Sequence, residues 1–235
     1  MHSTIRTMVI VLLVAVGGTL TCSAMKKDRL DDASPFLSIQ LVYNYDVYQR
    51  PLFFLPKGKP SFGIWIREPA TGYYESIFVT RKAGKNEWNF AKARPESIPV
   101  WYGVQQQEKE RDAFDLDAIS GATPEGDTAT IYWQIPERLR GRQLEIYLEA
   151  NNSFDFNQYY GRKKGAPGYS GANGQPSVVW RATLDLARPP QQPVFPVPIG
   201  HGDLFGESHR IFPDLSRITS AMLTFHEIKI GFHQP

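Results

Sequence analysis

The sequence predicts an all-β fold: an antiparallel β-sandwich of immunoglobulin-like architecture, interrupted by long irregular insertions. Three observations predict it. Apolar and polar residues alternate with a period of two in segment after segment, the mark of half-buried strands. Helical periodicity is weak throughout. The 18 prolines and 19 glycines of the chain fall largely between the alternating segments, where they read as turns. A length of 235 residues leaves room for one domain behind an N-terminal export segment.

Residues 1–24 read as that export segment. His2 and Arg6 form a short positive n-region, Met8 to Val16 an uninterrupted apolar stretch, and Gly17 to Ala24 a small-residue c-region. Cys22-Ser23-Ala24 fits a cleavage site, so cleavage after Ala24 is expected. The apolar stretch from Thr7 to Met25 is also just long enough to stay uncleaved as a membrane anchor. Lipidation at Cys22 is a third fate, disfavoured because Thr19-Leu20-Thr21 lacks Leu at the third position before the cysteine. Residues 25–35 are charged and read as a flexible tether, and 36–235 as a single β-sandwich domain. The expected location is the periplasm or another exported compartment.

The domain opens with Leu37, Ile39, Leu41, Tyr43 and Tyr45 alternating against Ser38, Gln40 and Asn44. Phe62, Ile64 and Ile66 mark a second strand and Tyr73 to Thr80 a third, joined through Pro69-Ala70-Thr71-Gly72 as a hairpin turn. Ala129, Ile131, Trp133 and Ile135 line one face of the next, then Leu144, Ile146, Leu148 and Ala150. Val178, Trp180, Ala182, Leu184 and Leu186 form the longest clean alternation, which puts Trp180 inside and Arg181 and Thr183 outside. A last strand is expected from Met222 to Phe232. Two insertions remain: Phe154 to Gln175, rich in Tyr, Gly and Asn, and Ala187 to Pro213, rich in Pro and Gly. Loops this long are usually functional or disordered.

Composition excludes several classes of function. Cys22 is the only cysteine, so cleavage after Ala24 leaves no disulfide, no catalytic thiol and no thiolate metal site. The formal net charge is +2 and the basic residues are scattered, which gives no footprint for nucleic acid. The sequence has no P-loop, no dinucleotide fingerprint and no G-x-S-x-G nucleophile elbow. Ser170, in Gly168-Tyr169-Ser170-Gly171, reads as part of a turn. Asp115 and Asp117 are a carboxylate pair with no sugar cleft suggested around them. His201, Asp203 and His209 are weak candidates for a metal, because their spacing matches no strong ligand motif. Phe154, Phe156, Tyr159 and Tyr160 could form a ligand surface or fold onto the edge of the sandwich.

One segment carries specific chemical information: Asp117-Ala118-Ile119-Ser120-Gly121-Ala122-Thr123. A chance match to its pattern, an Asp and two variable residues before Ser/Thr-Gly-Ala-Thr/Ser, is on the order of one in a thousand for a chain of this length. The polar, turn-rich flanks predict an exposed loop, and Gly121 and Ala122 let another enzyme approach the backbone closely. The segment resembles the acceptor motif of bacterial FMN transferases. In that family the last hydroxyl residue receives FMN through a phosphoester bond. The resemblance implies a covalent flavin at Thr123, with Asp117, Ser120, Gly121 and Ala122 as the recognition residues. Read as residues alone, the segment is equally a structural turn, with Asp117 accepting from the backbone near Ser120.

The order of Gly63-Ile64-Trp65-Ile66, Phe78 to Lys82, Asn86-Glu87-Trp88, Pro99-Val100-Trp101 and the Asp117 to Thr123 loop is similar to a family of predicted periplasmic proteins of unknown function. Members pair an immunoglobulin-like β-domain with an Asp-Ala-Val/Ile-Ser-Gly-Ala-Thr loop. The resemblance spans Phe62 to about Ala150 and implies a part in extracytosolic, flavin-based electron transfer. The implied partners are an FMN transferase and a redox protein of the membrane. Trp88, Trp101 and Tyr102 could shelter a flavin ring, although aromatics at strand positions usually pack in cores. Arg94 and Arg111 could meet its phosphate or reduced ring, or be ordinary surface charges. The chain is thus expected to be a carrier without turnover of its own. The alternative is a non-catalytic β-sandwich that binds a glycan or protein through the Tyr/Asn-rich insertion.

Overall fold

The computed structural model describes residues 30–31, 33–50, 57–88, 93–111 and 115–234, without the side chains of 117 and 118. The export segment with Cys22, and residues 25–29 and 32 of the tether, lie outside these residues. Among the described residues nine strands form two sheets: β1 (Phe36–Tyr43), β2 (Ser61–Glu68), β3 (Tyr73–Thr80), β4 (Ser120–Gly121), β5 (Thr128–Gln134), β6 (Gln143–Asn151), β7 (Val178–Asp185), β8 (Val197–His201) and β9 (Phe225–His233). One sheet has the order β5-β1-β9, the other β4-β3-β2-β6-β7-β8. All pairs are antiparallel except β3–β4. The expected all-β sandwich is present.

The alternation read from the sequence sets this architecture. Leu37, Ile39 and Leu41 of β1 point inward with Ala129 and Ile131 of β5 and Ile228 and Ile230 of β9. They meet Phe62, Ile64 and Ile66 of β2, Leu144, Ile146 and Leu148 of β6, and Val178, Trp180 and Leu184 of β7 in one apolar cluster. Trp180 is 5% exposed, whereas Thr183 faces solvent. The Pro69–Gly72 turn closes β2 onto β3, with Gly72 at φ 70° donating its N–H to the Glu68 carbonyl at 2.9 Å.

The six-stranded sheet is covered on its other face as well. Here lie α1 (Arg81–Gly84), α2 (Pro99–Glu110) and α3 (Leu116–Ile119). Trp101 and Val104 of α2 pack on Trp65, Tyr147 and Val179, which form a second, smaller core. The Trp65 and Tyr147 rings stack 5.2 Å apart at an interplanar angle of 4°. Residues of both parities are therefore buried along β2, and the molecule has three layers.

Three departures from the sequence reading have physical reasons. The twelve-residue α2 stands where little helix is expected. Its Pro99 occupies the first turn, where a missing N–H costs nothing, but its capping group comes from β6. Strand β8 lies inside the expected irregular insertion. Pro198 opposes Trp180 across a register shift, and an edge strand tolerates the missing donor. The last strand starts at Phe225, later than expected, because Ser220–Leu223 forms a 3-10 turn.

Candidate functional site

Strand β3 ends where the Thr80 hydroxyl accepts a hydrogen bond from the Phe62 N–H at 3.1 Å. The chain turns directly into α1. After α2 it returns through α3 and lays Ser120 beside Val79 and Gly121 beside Thr80. The Ser-Gly-Ala-Thr segment thus begins as a two-residue parallel strand at the edge of the six-stranded sheet. A side chain at Gly84 would sit 2.8 Å from Val79 Cγ1 and 3.0 Å from Leu116 Cδ1, so glycine lets α1 and α3 approach without displacing these side chains.

Beyond Gly121 the chain leaves the sheet. Ala122 is exposed, Thr123 half-buried and Pro124 buried. The Lys59 ammonium donates to the carbonyl of Pro124, and to that of Gly126 at 3.3 Å. It also lies 5.0 Å from the centre of the Tyr43 ring. The Tyr45 hydroxyl donates to the Gly126 carbonyl at 2.6 Å. Thr123 therefore lies between a strand pairing at Gly121 and a clamp at Pro124. No hydrogen bond reaches its hydroxyl among the described residues. Asp117 lies in α3, and its side chain, hence any turn made by it, is outside the described parts.

An open groove of about 1050 Å³ lies between α1 and α2, lined by Lys85, Glu87, Tyr102, Lys109, Asp115 and Leu116 among others. Asn86 adopts a left-handed conformation, φ 56°, just after the C-cap of α1. Its side-chain oxygen accepts from Trp88 Nε1 at 2.7 Å and from the Arg94 N–H at 3.3 Å. The Tyr102 hydroxyl donates to the Ala83 carbonyl at 3.1 Å, tying α2 to α1. Burial pushes this phenol up to about 12.

Two buried carboxylates hold α2 in place. Glu149 of β6 is fully buried and accepts from the N–H groups of Val100 at 3.2 Å and Trp101 at 2.8 Å, and from Ser177 Oγ at 2.6 Å. It is a tertiary cap on the helix N-terminus, where Ile98 offers no side-chain cap. A side chain at Gly202 would come within 2.8 Å of Glu149 Oε1 and 2.6 Å of Pro99 Cγ, so glycine lets this site close. Burial pushes the Glu149 carboxyl up to about 7, while the Ser177, Trp101 and Val100 hydrogen bonds pull it down. Near the other end, Glu108 accepts from Ser76 N at 2.6 Å and Ser76 Oγ at 2.5 Å, and Trp101 Nε1 donates to the same Ser76 oxygen at 3.1 Å. Burial raises Glu108 as well, against its bonds to Ser76.

The other sequence candidates fall into structural surroundings. Trp101 is fully buried. Arg94 is 6% exposed, bonded to Glu96, Ser153 and Asn173, and lies 4.7 Å from the Trp88 ring centre; it is a latch between loops rather than an ordinary surface charge. Arg111 donates to the Tyr74 carbonyl at 2.5 Å and covers the Tyr73 ring. His201 contacts the Gly202 carbonyl and stacks on Phe212, and His209 Nδ1 contacts the Pro99 carbonyl at 2.7 Å. Asp203 accepts from Phe205 N and Ser208 Oγ. Among the described residues no three or more His, Cys, Asp and Glu side chains group as metal ligands. Ser170 donates to the Gly174 carbonyl within a turn. In the Tyr/Asn-rich insertion, Asn157 accepts from Tyr159 N and Tyr160 N and donates to the Arg217 carbonyl, and Tyr160 packs against the main core. The sequence reading missed Glu149, Glu108 and Lys59. Isolated charged residues in strands and loops carry no local sign that they will be buried against a backbone.

No protein-family model, curated protein or solved structure matches this chain. Among the described residues no helix is long and apolar enough to cross a membrane.

Proposed function

We propose that this chain is an exported, flavin-linked electron-transfer accessory protein that carries FMN covalently on Thr123. A separate FMN transferase attaches the flavin. The observation that supports this most is the accessibility of the acceptor itself: Ala122 is exposed, Thr123 is only half-buried, and no hydrogen bond among the described residues reaches its hydroxyl. A modifying enzyme must draw the loop into its own cleft, and a strand of only two residues is a weak restraint on that movement.

The residues present fit such a group. Thr123 supplies the acceptor oxygen, and the small Gly121 and Ala122 leave the backbone approachable. In the transfer, the Thr123 oxygen would bond to the flavin-side phosphorus of a flavin dinucleotide, the phosphoanhydride bond would break with a nucleoside monophosphate leaving, and the hydroxyl proton would pass to a base of the transferase. The attached flavin supplies reversible electron transfer, which the chain itself need only hold and shield. The protein then serves a membrane redox partner in the periplasm or a similar compartment, after export through residues 1–24.

Co-expression with a periplasmic FMN transferase tests the reading. One FMN, retained after denaturation, should map to a peptide containing Thr123. Thr123→Val should abolish it, Asp117→Ala should weaken it, and Ser170→Ala should leave it unchanged. A folded, secreted protein that stays colourless under these conditions would leave the segment as a turn and transfer the argument to the binding-module alternative.

A further inference from the structure

We infer that Lys59 is a gate on the acceptor: its ammonium group holds Thr123 against the domain, and release of that hold admits the segment to the transferase. The inference rests on the proposed attachment at Thr123 and adds a positioning residue that governs how fast the attachment proceeds.

The acceptor segment is the crossing from one sheet to the other. It leaves β4, in the six-stranded sheet, and enters β5, in the three-stranded one. Lys59 stands two residues before β2 and Tyr43 ends β1, so the start of β2 and the end of β1 meet at the crossing. The Lys59 ammonium donates to the Pro124 carbonyl and, at 3.3 Å, to the Gly126 carbonyl. It lies 5.0 Å from the centre of the Tyr43 ring and 5.8 Å from that of Tyr45, and ring faces attract a partly desolvated cation. The Tyr45 hydroxyl donates to the same Gly126 carbonyl at 2.6 Å. Lys59 is half-buried and Pro124 buried, so the bond between them is sheltered from water.

Chain length makes this hold decisive. Thr123 immediately precedes Pro124, and neighbouring Cα atoms are about 3.8 Å apart. While Pro124 is held, Thr123 stays at the domain surface, even when Ser120 and Gly121 leave β3. Once Lys59 lets go, the next tie is Tyr45 at Gly126, and residues 122–125 gain a reach of about 13 Å. That reach carries the hydroxyl into a cleft of another protein. The tie on the other side is a strand of two residues, so Lys59 supplies the stronger restraint. Hydrogen bonds to a charged group are worth about a ten- to hundredfold shift in an equilibrium. A gate of that strength slows the attachment without altering its end point.

The test uses the full chain as wild type, Lys59→Met, Lys59→Arg and Tyr45→Phe, each given the transferase and a flavin dinucleotide. Covalent flavin is followed in time at several concentrations of the chain, and amide hydrogen exchange is read over residues 122–126. Lys59→Met should raise kcat/KM for attachment about tenfold and speed exchange at Ala122, Thr123 and Glu125. The end point should remain one flavin per chain, and exchange in β7 should not change, which separates a local release from general loosening. Lys59→Arg, which keeps the cation, should stay within about twofold of the wild type. Tyr45→Phe removes only the hydroxyl bond to Gly126 and should act in the same direction by about threefold; it carries the test if Lys59→Met does not fold. Attachment to the Lys59→Met chain at the wild-type rate or slower, or unchanged exchange at 122–126, overturns the gate and leaves the attachment standing. Absence of flavin from wild-type Thr123, beside a transferase active on another acceptor, overturns both.

Discussion

The two faces of the six-stranded sheet are built on different principles. The face toward β5-β1-β9 is closed by apolar side chains: Phe62, Ile64 and Ile66 of β2, Leu144, Ile146 and Leu148 of β6, and Trp180 of β7 set against Phe225. The face toward α2 is closed by fewer apolar residues around buried polar ones, with Glu149 and Glu108 holding the helix by its backbone and through Ser76. The first face needs only apolar residues of suitable size, and its energy follows from area removed from water. The second depends on hydrogen-bond geometry, because each buried donor or acceptor that loses its partner costs far more than a bond gains. The groove lies on the second face, and the acceptor segment pairs at the edge of the same sheet.

The comparison is tested first at its apolar side. Trp180→Ala should cost roughly 3–5 kcal/mol, read from urea unfolding, by the same amount at every pH from about 5 to 8. A loss below about 1 kcal/mol would show that this face does not dominate stability.

At the polar side, Glu149→Ala should cost roughly 2–4 kcal/mol, since it strips the partners from the N–H groups of Val100 and Trp101. Its pH signature separates it from Trp180. The folded Glu149 carboxyl titrates near 7, above its ordinary value of 4.5, so its contribution is complete below about 4.5 and is lost as pH rises through about 7. The wild type should therefore lose about 3 kcal/mol between those limits from this group. Glu149→Gln, which cannot titrate, should flatten that slope. An unchanged slope in the variant would assign the titration elsewhere.

Glu108→Ala comes next, at about 1–2 kcal/mol, because it leaves the Ser76 N–H without its carboxylate. Near-ultraviolet circular dichroism should report a changed environment for Trp101, whose ring N–H shares the Ser76 hydroxyl. The smallest effect on stability belongs to Thr123→Val, within about 0.5 kcal/mol of the wild type, since the hydroxyl makes no bond among the described residues. A larger loss would mean that Thr123 is a structural residue.

The two faces also differ in how legible they are. Strand β7 can be read directly, because Val178, Trp180, Ala182 and Leu184 share one face and the pattern is local. Helix α2 cannot be read in this way. Its buried stripe includes Gly103 and Glu108, and its cap, Glu149, is 48 residues away from Trp101. Arg94 is hidden for the same reason, since its partners Ser153 and Asn173 lie 59 and 79 residues further on. Strand β8 is masked by Pro198 and Gly200. At the site, the acceptor segment is visible as a string of residues, but its pairing with β3 and the Lys59 clamp depend on contacts between distant segments.

The chemical state of Thr123 decides between a flavin carrier and a plain turn, and peptide mapping of the denatured protein from its native host reads it directly. A yellow, flavin-bearing peptide that contains Ser120 to Thr123 is expected, with Thr123 heavier by one FMN less one water. An unmodified Thr123 in protein from cells that contain an active FMN transferase would contradict it.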